Sequence, residues 1–177
     1  MYSNTGGQMS KATPAGATVK FAEAGKQQRK KNIGEIFMTY EHVYVASVSL
    51  ANQAQVLQAF LEADQHNGPS IIIAYSPCVQ QGVDSGYWPL YRFNPELVRE
   101  GKNPFILDSK KLRKDVSDFL HRESRFMKLQ KKHPEIADDL FARMNQDVHH
   151  RMEHLNQIAA GYKAFDHADD AKVKVLF

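Results

Sequence analysis

Ser70-Ile71-Ile72-Ile73-Ala74-Tyr75 is a continuous apolar run rich in β-branched residues. Strand side chains alternate between two faces, so a run without polar alternation predicts a strand covered on both sides, as in the centre of a parallel sheet. Asn67-Gly68-Pro69 stands directly before it and ends whatever helix precedes it. That helix is expected over Ala51 to Asp64, where Val56, Leu57, Phe60 and Leu61 recur at helical spacing. Further upstream, Val43-Tyr44-Val45-Ala46 reads as a second short buried strand, after a helix around Ile33 to Tyr40. Strand, helix and strand together imply a right-handed crossover between parallel strands. The expected class is therefore α/β.

The second half reads as helical. Leu112 to Lys131 places Leu112, Val116, Phe119, Leu120, Phe126 and Leu129 near one face, which predicts one amphipathic helix. Pro134 then opens a new segment at its first turn, where proline's missing N–H costs nothing. Ile136, Leu140, Met144, Val148, Met152 and Leu155 recur every three or four residues, to about Ala160. This stripe needs a partner surface, either the chain's own core or a subunit or domain contact. Gly161 to Ala171 has the polar, acidic composition of a linker, and Val173-Lys174-Val175-Leu176-Phe177 reads as a short strand.

With 177 residues, 42% hydrophobic content and net charge +3, the chain suffices for one ordinary core. No run of eighteen apolar residues occurs, so no membrane span is expected. The polar stretch Tyr2 to Lys11 lacks the apolar centre of a signal peptide. A single cysteine, Cys78, excludes an intramolecular disulfide and suits a reducing compartment; cytoplasm or a mitochondrion-related organelle is expected. Lys26, Arg29, Lys30 and Lys31 form a basic cluster of the kind that usually lies in solvent. No nucleic-acid-reading motif or interleaved aromatics accompany it, so no nucleic-acid partner is expected.

Three places carry candidate chemistry. Met1-Tyr2-Ser3-Asn4-Thr5-Gly6-Gly7-Gln8 combines small polar side chains with two glycines, which lets backbone approach a charged ligand such as a diphosphate or a metal. The same residues also make an ordinary turn. Cys78 follows the end of the Ser70–Tyr75 strand by three residues, on the side where open α/β sheets bind ligands, although a small buried hydrophobe is the other reading. His150 and His154 stand four apart on the long helix, near His149 and Glu153. Their order departs from His-Glu-x-x-His and Arg151 would repel a cation, so surface histidines without zinc are expected.

Several separate motifs occur in an order that resembles one family. They are Tyr2-Ser3-Asn4-Thr5-Gly6-Gly7-Gln8, Ser10-Lys11-Ala12-Thr13-Pro14, Lys20-Phe21-Ala22, Val43-Tyr44-Val45-Ala46, Gly68-Pro69-Ser70, Ile73-Ala74-Tyr75-Ser76-Pro77-Cys78, Ser85-Gly86-Tyr87-Trp88-Pro89-Leu90-Tyr91-Arg92 and Gly101-Lys102-Asn103-Pro104-Phe105. Together they resemble the carboxy-terminal thiamine diphosphate-binding domain of the pyruvate:ferredoxin (flavodoxin) oxidoreductases and the pyruvate:NADP oxidoreductases, over roughly residues 1 to 160. The resemblance implies a partial thiamine diphosphate-binding domain over 1–95, a helical segment over 96–160, a linker over 161–171 and the possible start of a flavodoxin-like domain at 172–177.

What the resemblance implies for the site is specific. Tyr2, Ser3, Asn4, Thr5 and Gly6 match the cofactor-facing loop, with Asn4 at the active-site asparagine. The backbone carbonyl of Met1 matches one magnesium ligand, and Cys78 matches one of four thiolates on a 4Fe-4S cluster. The family oxidises pyruvate to acetyl-CoA with coenzyme A and passes electrons to ferredoxin, flavodoxin or a fused NADP-linked module, as a homodimer. The other cluster and metal ligands match nothing in this chain, so a fragment inactive by itself is expected. Two departures stand out: a helix-sized piece is absent after Val83, and Glu41 occupies a position where relatives tend to carry glycine. From a different class, the alternative is a non-catalytic assembly or interaction fragment using the amphipathic helix 134–160.

Overall fold

Tyr44–Ser49 forms β1, and each of its six residues is buried. In the computed structural model, residues 1–76, 79–109 and 111–161 are described, apart from the side chains of Ser3 and Val79. β1 follows α1 (Ile33–Met38) and leads into α2 (Gln53–Gln65), which returns the chain to β2 (Ser70–Tyr75). The short helix α3 (Val79–Asp84), β3 (Tyr91–Phe93), α4 (Glu96–Arg99) and β4 (Phe105–Leu107) come next. Three helices complete the order: α5 (Val116–Leu120), α6 (Ser124–Lys132) and α7 (Pro134–Gly161).

The sheet runs β2-β1-β3-β4. β1 and β2 are parallel in the register Tyr44↔Ser70 to Ser49↔Tyr75, as the strand-helix-strand pattern predicts. β3 and β4 are antiparallel additions, and β4 arises inside the stretch expected to be helical. β2 is not central among the described residues: it forms one edge, half-exposed along most of its length. No described strand stands on its outer side, which is why its isoleucines keep contact with solvent.

β1 reaches three residues beyond Ala46 because two serines are buried in it. Ser47 and Ser49 sit at 4% and 1% exposure, and the Ser47 hydroxyl donates to the Pro89 carbonyl at 2.7 Å. A hydrogen bond removes most of the cost of burying a hydroxyl. α2 starts where the Asn52 side chain accepts from the Gln55 N–H at 3.1 Å, satisfying a donor that the first helical turn leaves free. Its helical spacing is as expected, but its orientation is not. Ala59 and Gln55 are buried against the sheet, whereas Leu57, Phe60 and Leu61 point to solvent. The Gln55 amide replaces an apolar contact by donating to the Ser47 carbonyl and to Asp108 Oδ2, both at 3.1 Å.

The single helix expected over Leu112 to Lys131 is two. Asp115 caps α5 by accepting from the Ser117 N–H at 2.7 Å, and the chain turns at His121 to Glu123 before α6. The break lets Phe119 and Phe126 meet edge-on, with centroids 6.2 Å apart, in one core with Leu120, Leu129, Leu140 and Met144. α7 does span the long stripe: Leu140, Met144, Val148, Met152 and Leu155 are buried. These five residues of the stripe pack inside the chain, against α5, α6 and β4, whereas Ile136 is 38% exposed. Ala17 joins the same core. The expected linker and terminal strand fall outside the described residues, apart from Gly161, which ends α7.

One departure and one basic residue meet particular backbone. Glu41 has φ +60°, in the left-handed region where a side chain is strained and glycine is not. Lys26 leaves the expected solvated cluster: it is 4% exposed, and its ammonium donates to the carbonyls of Lys11 and Thr13 at 2.8 and 2.7 Å.

Candidate functional site

The loop at residues 1–8 is a closed turn. The Tyr2 N–H donates to the Gln8 carbonyl at 3.0 Å and the Gly7 N–H to the Tyr2 carbonyl at 2.8 Å. Between them lies a 3-10 turn at Ser3–Thr5, followed by Gly6 at φ +110° and Gly7 at φ +84°. Only glycine takes these conformations at low cost, so the pair of glycines is a requirement of the turn itself. The Thr5 hydroxyl donates to Gln8 Oε1 at 2.9 Å and the Gln8 amide returns to the Thr5 carbonyl at 2.7 Å. The Lys20 N–H donates to the Gly7 carbonyl, and the Met9 N–H to the Lys20 carbonyl, tying the turn to the following loop. A Cβ placed on Gly6 would stand 3.0 Å from Lys20 Nζ, so an ammonium lies directly beside the loop.

Met1, Tyr2, Asn4, Thr5 and Gly6 are all exposed. The turn therefore presents the Asn4 amide, with two N–H donors and one acceptor, and the Lys20 cation to whatever covers it. This donor set suits one side of a diphosphate, because phosphate oxygens accept from amides and ammonium groups. It does not make a magnesium site: Mg²⁺ takes about six oxygen ligands, and Met1 offers one carbonyl. Among the described residues no three His, Cys, Asp or Glu side chains gather as a metal-holding group. Cys78, the expected cluster ligand, lies outside the described residues, and the sequence holds no second cysteine. His149, His150 and His154 are exposed on α7, as expected of surface histidines.

The end of β2, two residues before the undescribed pair, is built of aromatic rings. Tyr75 stacks on Trp88 with centroids 5.0 Å apart and planes within 17°, and Tyr87 leans on Tyr75 at 6.3 Å. The Trp88 indole N–H donates to the Val48 carbonyl of β1 at 3.2 Å, and Lys30 Nζ lies 5.4 Å from the indole centroid, within cation–π range. Burial pushes the Tyr75 and Tyr87 phenols up from the ordinary tyrosine value. The Tyr75 hydroxyl is buried without a hydrogen-bond partner among the described residues.

Two arginines missed by sequence reasoning hold these parts together. Arg151 of α7 donates to the carbonyls of Gly86 and Tyr87 at 3.0 and 2.8 Å, fixing the turn beside Trp88. That turn needs its glycine: Gly86 has φ +72°, and a Cβ there would stand 2.3 Å from Leu112 Cδ2. Arg92 of β3 makes a two-pronged contact with Asp108, at 3.0 and 2.9 Å, and pairs with Glu62 of α2. Glu62 also accepts from the Tyr44 hydroxyl at 3.0 Å. The bonds to Asp108 hold the Arg92 guanidinium above its ordinary pKa, against the opposing effect of burial. Neither arginine carries a periodic signal; both sit at positions a reader assigns to surface.

The match with known proteins is extensive. No protein-family model matches the chain. The pyruvate:ferredoxin oxidoreductase of Moorella thermoacetica is 47% identical over 175 residues, a match covering 91% of this chain and 15% of that protein. A pyruvate-flavodoxin oxidoreductase of Trichormus variabilis is 46% identical over 90% of the chain and 15% of its own length. The mitochondrial pyruvate dehydrogenase [NADP(+)] of Euglena gracilis is 43% identical over 91% of the chain and 10% of its own length. At this level of identity over nearly the whole chain, it is similar to one segment of the pyruvate oxidoreductases. The chain belongs with the pyruvate:ferredoxin and pyruvate-flavodoxin oxidoreductases and their NADP-linked relatives, as a small part of them, and it spans about 10–15% of the length of these three.

Proposed function

We propose that this chain supplies one part of a pyruvate oxidoreductase active site: the turn that faces thiamine diphosphate and one ligand of a 4Fe-4S cluster. The observation that carries the reading is identity of 43–47% along about 90% of the chain, joined to coverage of only 10–15% of the three relatives described above. In this reading Tyr2, Ser3, Asn4, Thr5 and Gly6 face the cofactor, the Met1 carbonyl gives magnesium one of its oxygens, and Cys78 gives the cluster one thiolate. Thiamine diphosphate, when bound, supplies a nucleophilic carbon for attack on a 2-oxo acid. The Asn4 amide then donates to the substrate oxygen on which negative charge grows, a contact worth most where water is excluded. Lys20 balances charge beside the turn.

The rest of the oxidoreductase completes the cluster and metal ligands, which this sequence cannot do. Coenzyme A takes the acetyl group, and electrons leave to ferredoxin, flavodoxin or a fused NADP-linked module, in a homodimer of the whole enzyme. The cytoplasm or a mitochondrion-related organelle is the setting. The chain alone is inactive. Pyruvate-dependent reduction of methyl viologen, with thiamine diphosphate, Mg²⁺ and coenzyme A present, is the test. No reduction above the protein-free blank is expected from the chain alone, and turnover by this polypeptide would overturn the reading.

A further inference from the structure

The outer edge of β2 is apolar and half-exposed, and so is the outward face of α2 beside it. α2 lies over the β1–β2 pair, with Ala59 and the half-buried Val56 and Ala63 packed on Tyr44, Ala46, Val48 and Ile72. On its other side Leu57, Phe60 and Leu61 are 62%, 57% and 49% exposed. A surface helix normally turns its apolar face inward; here the larger apolar side chains face outward and the smaller ones inward. β2 beside it carries no charged residue. Edge strands that stay in solvent are ordinarily protected by lysine, proline, a bulge or a covering element, and Ser70–Tyr75 has none of these within it.

We propose that this surface is the seam along which the chain joins the remainder of its oxidoreductase, with an uncharged β-strand of that remainder adding to the β2 edge and an apolar side chain layer closing over Leu57, Phe60 and Leu61. The proposal rests on the reading of the chain as part of a pyruvate oxidoreductase. Two facts on this chain select that occupant over a second copy or a small ligand. The chain spans only about 10–15% of the relatives described above, so the greater part of a homologous enzyme lies outside it. Among the described residues β2 is also a sheet edge with no strand on its outer side, and its continuous apolar run fits two covered faces and two paired edges.

The experiment co-expresses the chain with the Moorella thermoacetica pyruvate:ferredoxin oxidoreductase from which the matching segment has been deleted, and measures how much chain co-purifies with it. The doubly substituted Leu57→Asp/Leu61→Asp chain should co-purify roughly tenfold less or worse, since charging a buried apolar contact costs at least the free energy of one decade in affinity. Ile136→Asp, on α7 and 38% exposed, should not change the yield. Both α2 positions are exposed, so circular dichroism of the variant chain should match the original. Equal co-purification of the α2 variant would overturn the seam and leave the fragment reading standing. Failure of the unmodified chain to co-purify would overturn both. Sedimentation of the chain alone gives the second arm: a monomer is expected, and a dimer dispersed by Leu57→Asp/Leu61→Asp would assign the surface to a second copy and overturn the proposal.

Discussion

The two edges of the sheet have opposite fates. β4 is closed from within: α7 packs across it, Phe105 and Leu107 share a core with Met152 and Leu155, and the Asn103 amide donates to the Ile158 and Ala159 carbonyls at 3.2 and 2.9 Å, satisfying the last turns of α7. Among the described residues β2 has no such cover, and the helix above it shows Leu57, Phe60 and Leu61 to solvent. The same sheet is thus finished on one side and unfinished on the other. A chain selected to fold and act alone would not be expected to leave an uncharged edge with three isoleucines bare. A segment of a larger enzyme has no reason to protect an edge that another segment covers.

The comparison can be broken by substitutions on either side, the largest effect first. Arg92→Met leaves Glu62 and Asp108 facing each other in a site where their side chains are 12% and 15% exposed; urea unfolding should lose about 3–5 kcal/mol, the cost of removing one partner from a buried pair. Leu155→Ala opens a cavity between α7 and β4 at a fully buried position and should cost about 3 kcal/mol. Asp115→Ala removes the α5 cap and should cost about 1 kcal/mol at neutral pH. Hydrogen bonds from the Ser117 hydroxyl and N–H hold the Asp115 carboxyl below the usual carboxylate range. Its contribution is therefore complete above the unfolded-state value near pH ~3.9 and is lost as pH falls through the lower folded-state value, so variant and original should converge in acid. Leu57→Ala, on the open side, should change stability by less than about 0.5 kcal/mol, although it removes the same kind of side chain as Leu155→Ala.

What the sequence makes legible follows the length of each apolar pattern. β1, β2, α2 and α7 are long enough for periodicity to stand out, and the parallel pairing follows from the helix between the strands. β3 and β4 have three residues each, too few for alternation to appear. The α5–α6 break is hidden because the apolar period runs through it and because Glu123, at the start of α6, makes no side-chain cap. α2 misleads for a physical reason: its visible stripe of large side chains belongs to the seam, while Gln55 and Ala59 face the sheet. Lys26 misleads similarly, since charge alone does not reveal that two backbone carbonyls wait for its ammonium. At the candidate site, Ser-Asn-Thr-Gly-Gly describes a turn as readily as a cofactor loop; the resemblance, not the composition, tells them apart.

Amide hydrogen exchange of the two edge strands tests the account most directly, with the chain alone and again after assembly with the segment-deleted Moorella thermoacetica enzyme. The account predicts that β4 amides are protected in both states and that the outward amides of Ser70–Tyr75 exchange rapidly alone and become protected on assembly. Equal protection of β2 in the free chain, or exchange at β2 unchanged by the remainder of the enzyme, would contradict it.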